Sequence, residues 1–140
     1  MKGFAMVPIG YVESAMSRPA HPDSFADTVC SIRVLPLYEE ALYGIEERER
    51  IVVVFCFHLS SGFTWKIHPR GDISRPITGL FSTRSPYRPN RIGVTSVPLL
   101  SREGAVLTVR DLDAVDGTPV LDIKPEMSSP VGLAGQETRS

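Results

Sequence analysis

Ile51-Val52-Val53-Val54-Phe55-Cys56-Phe57 is the stretch that decides the fold. Its seven consecutive apolar residues are mostly β-branched or aromatic, side chains that suit a pleated strand better than a helix. Because both faces are apolar, the strand belongs in the middle of a sheet. The apolar segments on either side of it are also short. Val7 to Val12 reads as a first strand. In Val29 to Leu35, Cys30, Ile32 and Val34 make one apolar face and Arg33 lies on the other, the alternation of a half-buried strand. Further strands are predicted near Thr78–Thr83, Ile92–Leu100, Ala105–Leu112 and Pro119–Lys124. After Pro36, Leu37-Tyr38-Glu39-Glu40-Ala41-Leu42 suits a short helix, with Gly44 placed to stop it. Many short strands and one short helix predict an all-β sandwich or barrel.

A chain of 140 residues, 42% hydrophobic and 22% charged, has the size and composition of one soluble globular domain. That domain is expected over residues 1–127. The tail after Pro125 has little apolar content, so 128–140 is expected to be mobile or borrowed by a neighbouring subunit. No run reaches the ~18 apolar residues that a membrane span requires. Pro8 and Gly10 interrupt the N-terminal apolar residues before they can act as a signal core, and a cytoplasmic location is expected. Cys30 and Cys56 both sit inside apolar runs; they make neither a disulfide framework nor a metal cluster, and no metal site is expected.

Several common chemistries have no motif here. The glycines are scattered, with no G-x-G-x-x-G, and there is no P-loop, C-x-x-C or H-E-x-x-H. The three histidines, His21, His58 and His68, are far apart. His58 ends the central strand and reads as a structural histidine. His68, beside Trp65 and Lys66 in the long polar stretch Ser60–Ile77, is the better candidate for site work.

The net charge of −1 conceals a strong partition. Residues 1–65 carry five lysine and arginine residues against eight acids, a net −3. Residues 66–102 carry seven against Asp72 alone, a net +6, and 103–140 carry a net −4. Such a concentration of cation suits an anionic partner, with a solvated loop as the plain alternative.

Two segments carry more specific information. The first is Gly79-Leu80-Phe81-Ser82-Thr83-Arg84-Ser85-Pro86-Tyr87-Arg88-Pro89-Asn90-Arg91-Ile92-Gly93. Pro86 and Pro89 drive Ser85 and Arg88 into extended conformations and remove two backbone donors, so this segment cannot be helical. Its arginines present planar forks suited to carboxylate or phosphate. Asn90 can donate and accept, as an adenine edge or a ribose requires. Gly93 permits close approach to the backbone. The second segment runs from Asp111 to Pro125, where Asp116-Gly117 is a turn signal between two strands. Beyond the turn, period-two counting puts Leu121 and Ile123 on one side and Val120, Asp122 and Lys124 on the other. Four acids within twelve residues exceed what a hairpin needs, and carboxylates suit a sulfonium cation or ribose hydroxyls.

Together these segments resemble the TsaA-like family, the tRNA N6-adenosine methyltransferases also called TrmO. The family pattern reads approximately G-x-F-A-T-R-S-P-x-R-P-N-P-I-G, then D-L-x-D-G-T-P-V-x-D-I-K-P-Y. Weaker similarity runs through Pro8-Ile9-Gly10 and Leu42-Tyr43-Gly44-Ile45-Glu46. The resemblance implies a small β-barrel that forms a homodimer and binds S-adenosylmethionine (SAM) near the subunit interface. It implies transfer of a methyl group to N6 of threonylcarbamoyladenosine, beside the anticodon of a tRNA. Residues carried over from the first motif are Arg84, Ser85, Arg88, Pro89, Asn90, Ile92 and Gly93. From the second they are Asp113, Asp116, Gly117, Thr118, Asp122 and Lys124. Arg84, Arg88, Asn90 and His68 are the candidates for catalysis. The chain departs from the pattern at Ser82, Arg91 and Glu126. Where the family tends to show Pro-Arg-Gln, it has Ser17-Arg18-Pro19-Ala20-His21-Pro22. These departures keep two alternatives in view: a sensor that binds SAM or a nucleotide without catalysis, and a methyltransferase acting on a small acceptor.

Overall fold

The apolar run Ile51–Phe57 lies almost wholly within one strand, held on both sides by antiparallel neighbours. The structure, a computed structural model, describes residues 2–127; the expectation of a mobile tail at 128–140 lies outside the described residues. The strands are β1 (Gly10–Glu13), β2 (Val29–Val34), β3 (Arg50–Cys56), β4 (Lys66–Ile67), β5 (Thr78–Gly79), β6 (Ile92–Glu103), β7 (Val106–Arg110) and β8 (Pro119–Pro125). Six of them close into an antiparallel barrel in the order β1-β2-β7-β6-β3-β8, and β4 pairs with β5 in a separate ribbon. Closure leaves the barrel no free edge.

Along β3, Ile51, Val53 and Phe55 point into the barrel and are essentially fully buried, while Val52, Val54 and Cys56 are only half-buried. The two-faced apolar pattern therefore marks a central strand without marking one buried on both faces. The interior is completed by Val12, Ile32, Val97, Leu107, Val109 and Val120.

The short helix forms, but as a 3₁₀ helix over Pro36–Leu42, starting on a proline as expected. Leu42 joins the core at the end where β3 begins. Arg102 fastens the segment after it, donating to the Leu42 carbonyl (3.2 Å) and to Glu46 (3.0 Å). That hydrogen bond holds the Glu46 carboxyl below the usual carboxylate range.

Two expected strands come out differently. Val7–Val12 shortens to β1, and Gly10 lies so close to β2 that a Cβ there would fall 2.5 Å from the Arg33 carbonyl oxygen. Of Thr78–Thr83 only the first two residues are strand, followed by a 3₁₀ turn at Leu80–Ser82. A β-bulge resets the alternation along β8: Val54 pairs with Asp122 but Phe55 pairs with Val120, so Leu121 is the extra residue. Val120 is consequently buried in the core on the same side as Ile123, not on the side of Asp122 and Lys124.

Candidate functional site

Two adjoining cavities open at the end of the barrel where β3 finishes, opposite the Pro36–Leu42 3₁₀ helix. One, of about 150 Å³, is walled by Phe25, Cys56, His58, Pro86, Val115 and Thr118 among others. The second, of about 270 Å³, is walled by Thr83, Arg88, Ile92, Gly93, Val94 and Thr95. Phe55, Phe57, Arg84 and Asp113 line both. The proline-stiffened segment and the acidic turn, 29 positions apart between Arg84 and Asp113, thus meet across one mouth.

Local bonding explains why they meet there. The acidic segment is pinned to the N-terminal part of the chain: Gly117 N–H donates to the Val12 carbonyl (2.7 Å), Asp116 N–H to Met16 (2.7 Å), and the Asp116 carboxylate accepts from Ser14 N–H (3.0 Å). Gly117 supplies the positive φ of 80° that the turn requires. Thr118 is buried, its hydroxyl donating to the Val115 carbonyl at 2.7 Å. Asp113 accepts from the Thr95 hydroxyl at 2.6 Å, which links the acidic segment to β6.

The cationic segment is braced from within. Arg88 donates to the carbonyls of Thr83 (2.8 Å) and Ser85 (3.3 Å) and stands 5.8 Å from the Phe81 ring centroid. The Ser85 hydroxyl accepts from Tyr87 N–H. Arg84 donates to the Val94 carbonyl at 2.9 Å. No carboxylate among the described residues pairs with Arg84, Arg88, Arg91 or Lys66, whereas Arg70, Arg75 and Arg102 are in ion pairs.

The sequence candidates divide accordingly. Arg84, Arg88, Ile92, Gly93, Asp113 and Thr118 are brought together, and Asp116 and Gly117 form the turn behind them. Pro89 and Asn90 line a different hollow beside Lys2 and Phe4, with Asn90 exposed. Asp122 and Lys124 pair with each other at 2.6 Å on the outer face of β8, away from both cavities. Gly93 serves packing more than open approach: a Cβ there would fall 2.6 Å from Phe55 Cζ and 2.8 Å from Phe57 Cζ.

The structure places the histidines otherwise than expected. His68 lies outside both cavities, and its Nδ1 bonds to the Arg75 carbonyl at 2.8 Å. His58 is exposed in the wall of the first cavity, and neither ring nitrogen has a hydrogen-bond partner among the described residues. Sequence reading also missed Phe25 and the Pro19-Ala20-Pro22 segment, which wall the first cavity from the far N-terminal side. Only the position of His58 at the exit of the deciding strand hinted at its place.

The two cysteines differ in a testable way. Burial pushes the Cys30 thiol up to about 11, whereas Cys56 is half-buried in the cavity wall. Because the thiolate is the reactive form, iodoacetamide is expected to modify one thiol per folded chain, at Cys56, and the second only after unfolding. Peptide mass mapping reads this directly, and modification of native Cys30 would contradict it.

Comparison with known proteins points the same way as the two motifs. A family model described as the tRNA-methyltransferase O N-terminal domain matches residues 11–129. A probable S-adenosyl-L-methionine-binding protein of Pyrococcus abyssi is 36% identical over 122 residues, covering 84% of this chain and 65% of that protein. The mouse tRNA (adenine(37)-N6)-methyltransferase is 36% identical over 141 residues, covering 91% of this chain and 32% of the mouse protein. The crystal structure of TrmO from Pseudomonas aeruginosa superposes with a TM-score of 0.71 at 31% identity, covering 99% of this chain and 61% of that one. This chain thus spans about two thirds of the archaeal relative and about one third of the mouse enzyme.

Proposed function

The chain belongs to the TrmO family, that of the tRNA-methyltransferase O N-terminal domain, and on that premise we propose that it binds SAM at the barrel mouth and methylates N6 of an adenosine in tRNA. The observation that carries this reading is the presence of Arg84 and Asp113 in the walls of both cavities. The residues there fit the chemistry of SAM. Arg84, an uncompensated guanidinium, suits the methionine carboxylate. Asp113 suits a ribose hydroxyl or the sulfonium charge. Half-buried Phe57, backed by buried Phe25 and Phe55, offers apolar surface for the adenine and helps to exclude water. SAM supplies an activated methyl group when bound. The protein's own contribution is to hold donor and acceptor in line.

The finer reading is that the acceptor is threonylcarbamoyladenosine next to the anticodon. The donors of Arg88 that its own loop leaves free can grip the acceptor's threonyl carboxylate or an RNA phosphate. Exposed Phe63, Trp65 and Phe81 near these cations suit unpaired bases. The half-buried Val54 and exposed Val94, partners in register on the outer face beside the second cavity, support a homodimer that pairs at this rim.

The test is a transfer assay with radiolabelled SAM and tRNA that carries the threonylcarbamoyl group but lacks the final methyl. Label in the tRNA supports the reading. Tight SAM binding without transfer leaves the sensor, which the divergent Ser17–Pro22 segment favours, since its Pro19, Ala20 and Pro22 wall the first cavity. If four cations contact phosphate, log affinity for tRNA should fall by about 3 per tenfold rise in salt. A small acceptor would show no such slope, so filter binding at two salt concentrations separates the last alternative.

A further inference from the structure

We propose that His58 is the proton acceptor in the methyl transfer, an inference that rests on the methyltransferase reading above and adds to it the group that makes the acceptor nitrogen reactive. The nitrogen of a carbamoylated adenosine is urea-like, with its lone pair delocalised, and it attacks readily only if its proton leaves as the new bond forms. A base must therefore stand in the same mouth as the donor.

The three histidines can be sorted by what already occupies their ring nitrogens. His21 Nδ1 accepts from Asp23 N–H at 3.2 Å, capping the turn that follows it. His68 Nδ1 faces a carbonyl oxygen at 2.8 Å, so this nitrogen carries the hydrogen and donates it. His58 alone keeps both nitrogens without a partner among the described residues, and it alone stands in the cavity wall with Arg84 and Asp113. Its Nε2 lies 3.9 Å from where a Cβ on Gly117 would be, which sets the ring beside the Asp116-Gly117 turn.

The other titratable groups in this wall are few. Cys56 lies on the same strand, Arg84 comes from the cationic segment and Asp113 from the acidic one; Pro19, Ala20, Pro22 and Phe25 contribute none. Asp113, the rival base, is engaged by the Thr95 hydroxyl, and Asp116 by Ser14 N–H.

The step balances without a further reactant. The acceptor nitrogen forms its bond to the methyl carbon as the carbon–sulfur bond of the sulfonium donor breaks, the electron pair staying on sulfur. The N–H proton passes to His58, which later releases it to water.

The experiment compares the wild type, His58→Gln and His58→Ala in single-turnover transfer across pH, with SAM affinity measured by calorimetry. The expected wild-type rate rises with pH along a limb of slope one and then levels. His58→Gln is expected to lower the plateau at least ~100-fold and to abolish that limb, with SAM affinity unchanged within about threefold. Added imidazole is expected to restore part of the rate of His58→Ala, which a merely structural role would not allow. An active wild type with an unaltered rate and pH profile in His58→Gln overturns this proposal alone. So does a loss of SAM affinity that matches the loss of rate, because His58 would then be a contact to the donor. A wild type that binds SAM yet transfers nothing overturns the methyltransferase reading itself.

Discussion

Arg84→Ala is expected to weaken SAM binding roughly 10- to 150-fold, the equivalent of losing a charge-assisted hydrogen bond of ~1.5–3 kcal/mol. The guanidinium lies where the two cavities adjoin, and it donates to a backbone carbonyl, that of Val94. That bond orients the fork without neutralising its charge. With no carboxylate of the chain paired to it among the described residues, the fork is left open to an anion carried by a ligand. The exposed position means that the fold itself should lose little, on the order of 1 kcal/mol for the Val94 bond. Arg84→Lys keeps a point charge but cannot form two parallel bonds to a carboxylate, so it should recover only part of the affinity. Calorimetric titration of each variant with SAM measures this, and a thermal melt confirms folding. Unchanged SAM affinity in Arg84→Ala, together with weakened tRNA binding, would move the residue from the cofactor to the RNA.

What could be read before folding, and what could not, follows the range of the forces involved. Ile51–Phe57 announced a central strand because β propensity and apolar run length are local properties, and the prolines at 86 and 89 excluded helix just as locally. The turn at Asp116-Gly117 was equally legible, since only a residue tolerant of positive φ fits there. The side each residue faces along β8 was not, because the bulge at Leu121 is set by pairing with β3 and shifts the alternation midway. Asp122 and Lys124 match the family motif yet face outward as an ion pair, which spacing alone cannot reveal. The cavity position of His58 was hidden for a related reason. A histidine at a strand end looks structural until closure of the barrel shows that the strand exits into a cavity, whereas His68 drew notice from polar neighbours that in fact occupy it. Gly93 shows the same limit. Its missing side chain signalled close approach correctly, but the approaching atoms belong to Phe55 and Phe57 and not to a ligand.

That last contact predicts large stability effects. Phe55 is 1% exposed, packs edge-to-face on Phe57 with ring centroids 5.2 Å apart, and forms part of both cavity walls. Phe55→Ala should destabilise the fold by about 3–5 kcal/mol, through lost burial and the void left behind. Gly93→Ala errs in the opposite direction: its methyl would sit 2.6–2.7 Å from two Phe55 ring atoms, closer than van der Waals contact allows, and overpacking of this kind costs roughly 1–3 kcal/mol. Since the void and the added methyl meet at one point, the double variant should be less unstable than the two losses added together, by about 0.5–3 kcal/mol. Urea midpoints at constant m-value measure all three. Strict additivity would mean that the rings move away freely, and the wall would then be soft. A rigid wall has a functional consequence as well. Gly93→Ala alone, although folded, should bind SAM poorly, because displaced rings at positions 55 and 57 narrow both cavities at once. In this barrel the residue that fills the core and the residue that shapes the site are the same phenylalanine, so stability and binding should fall together in that variant.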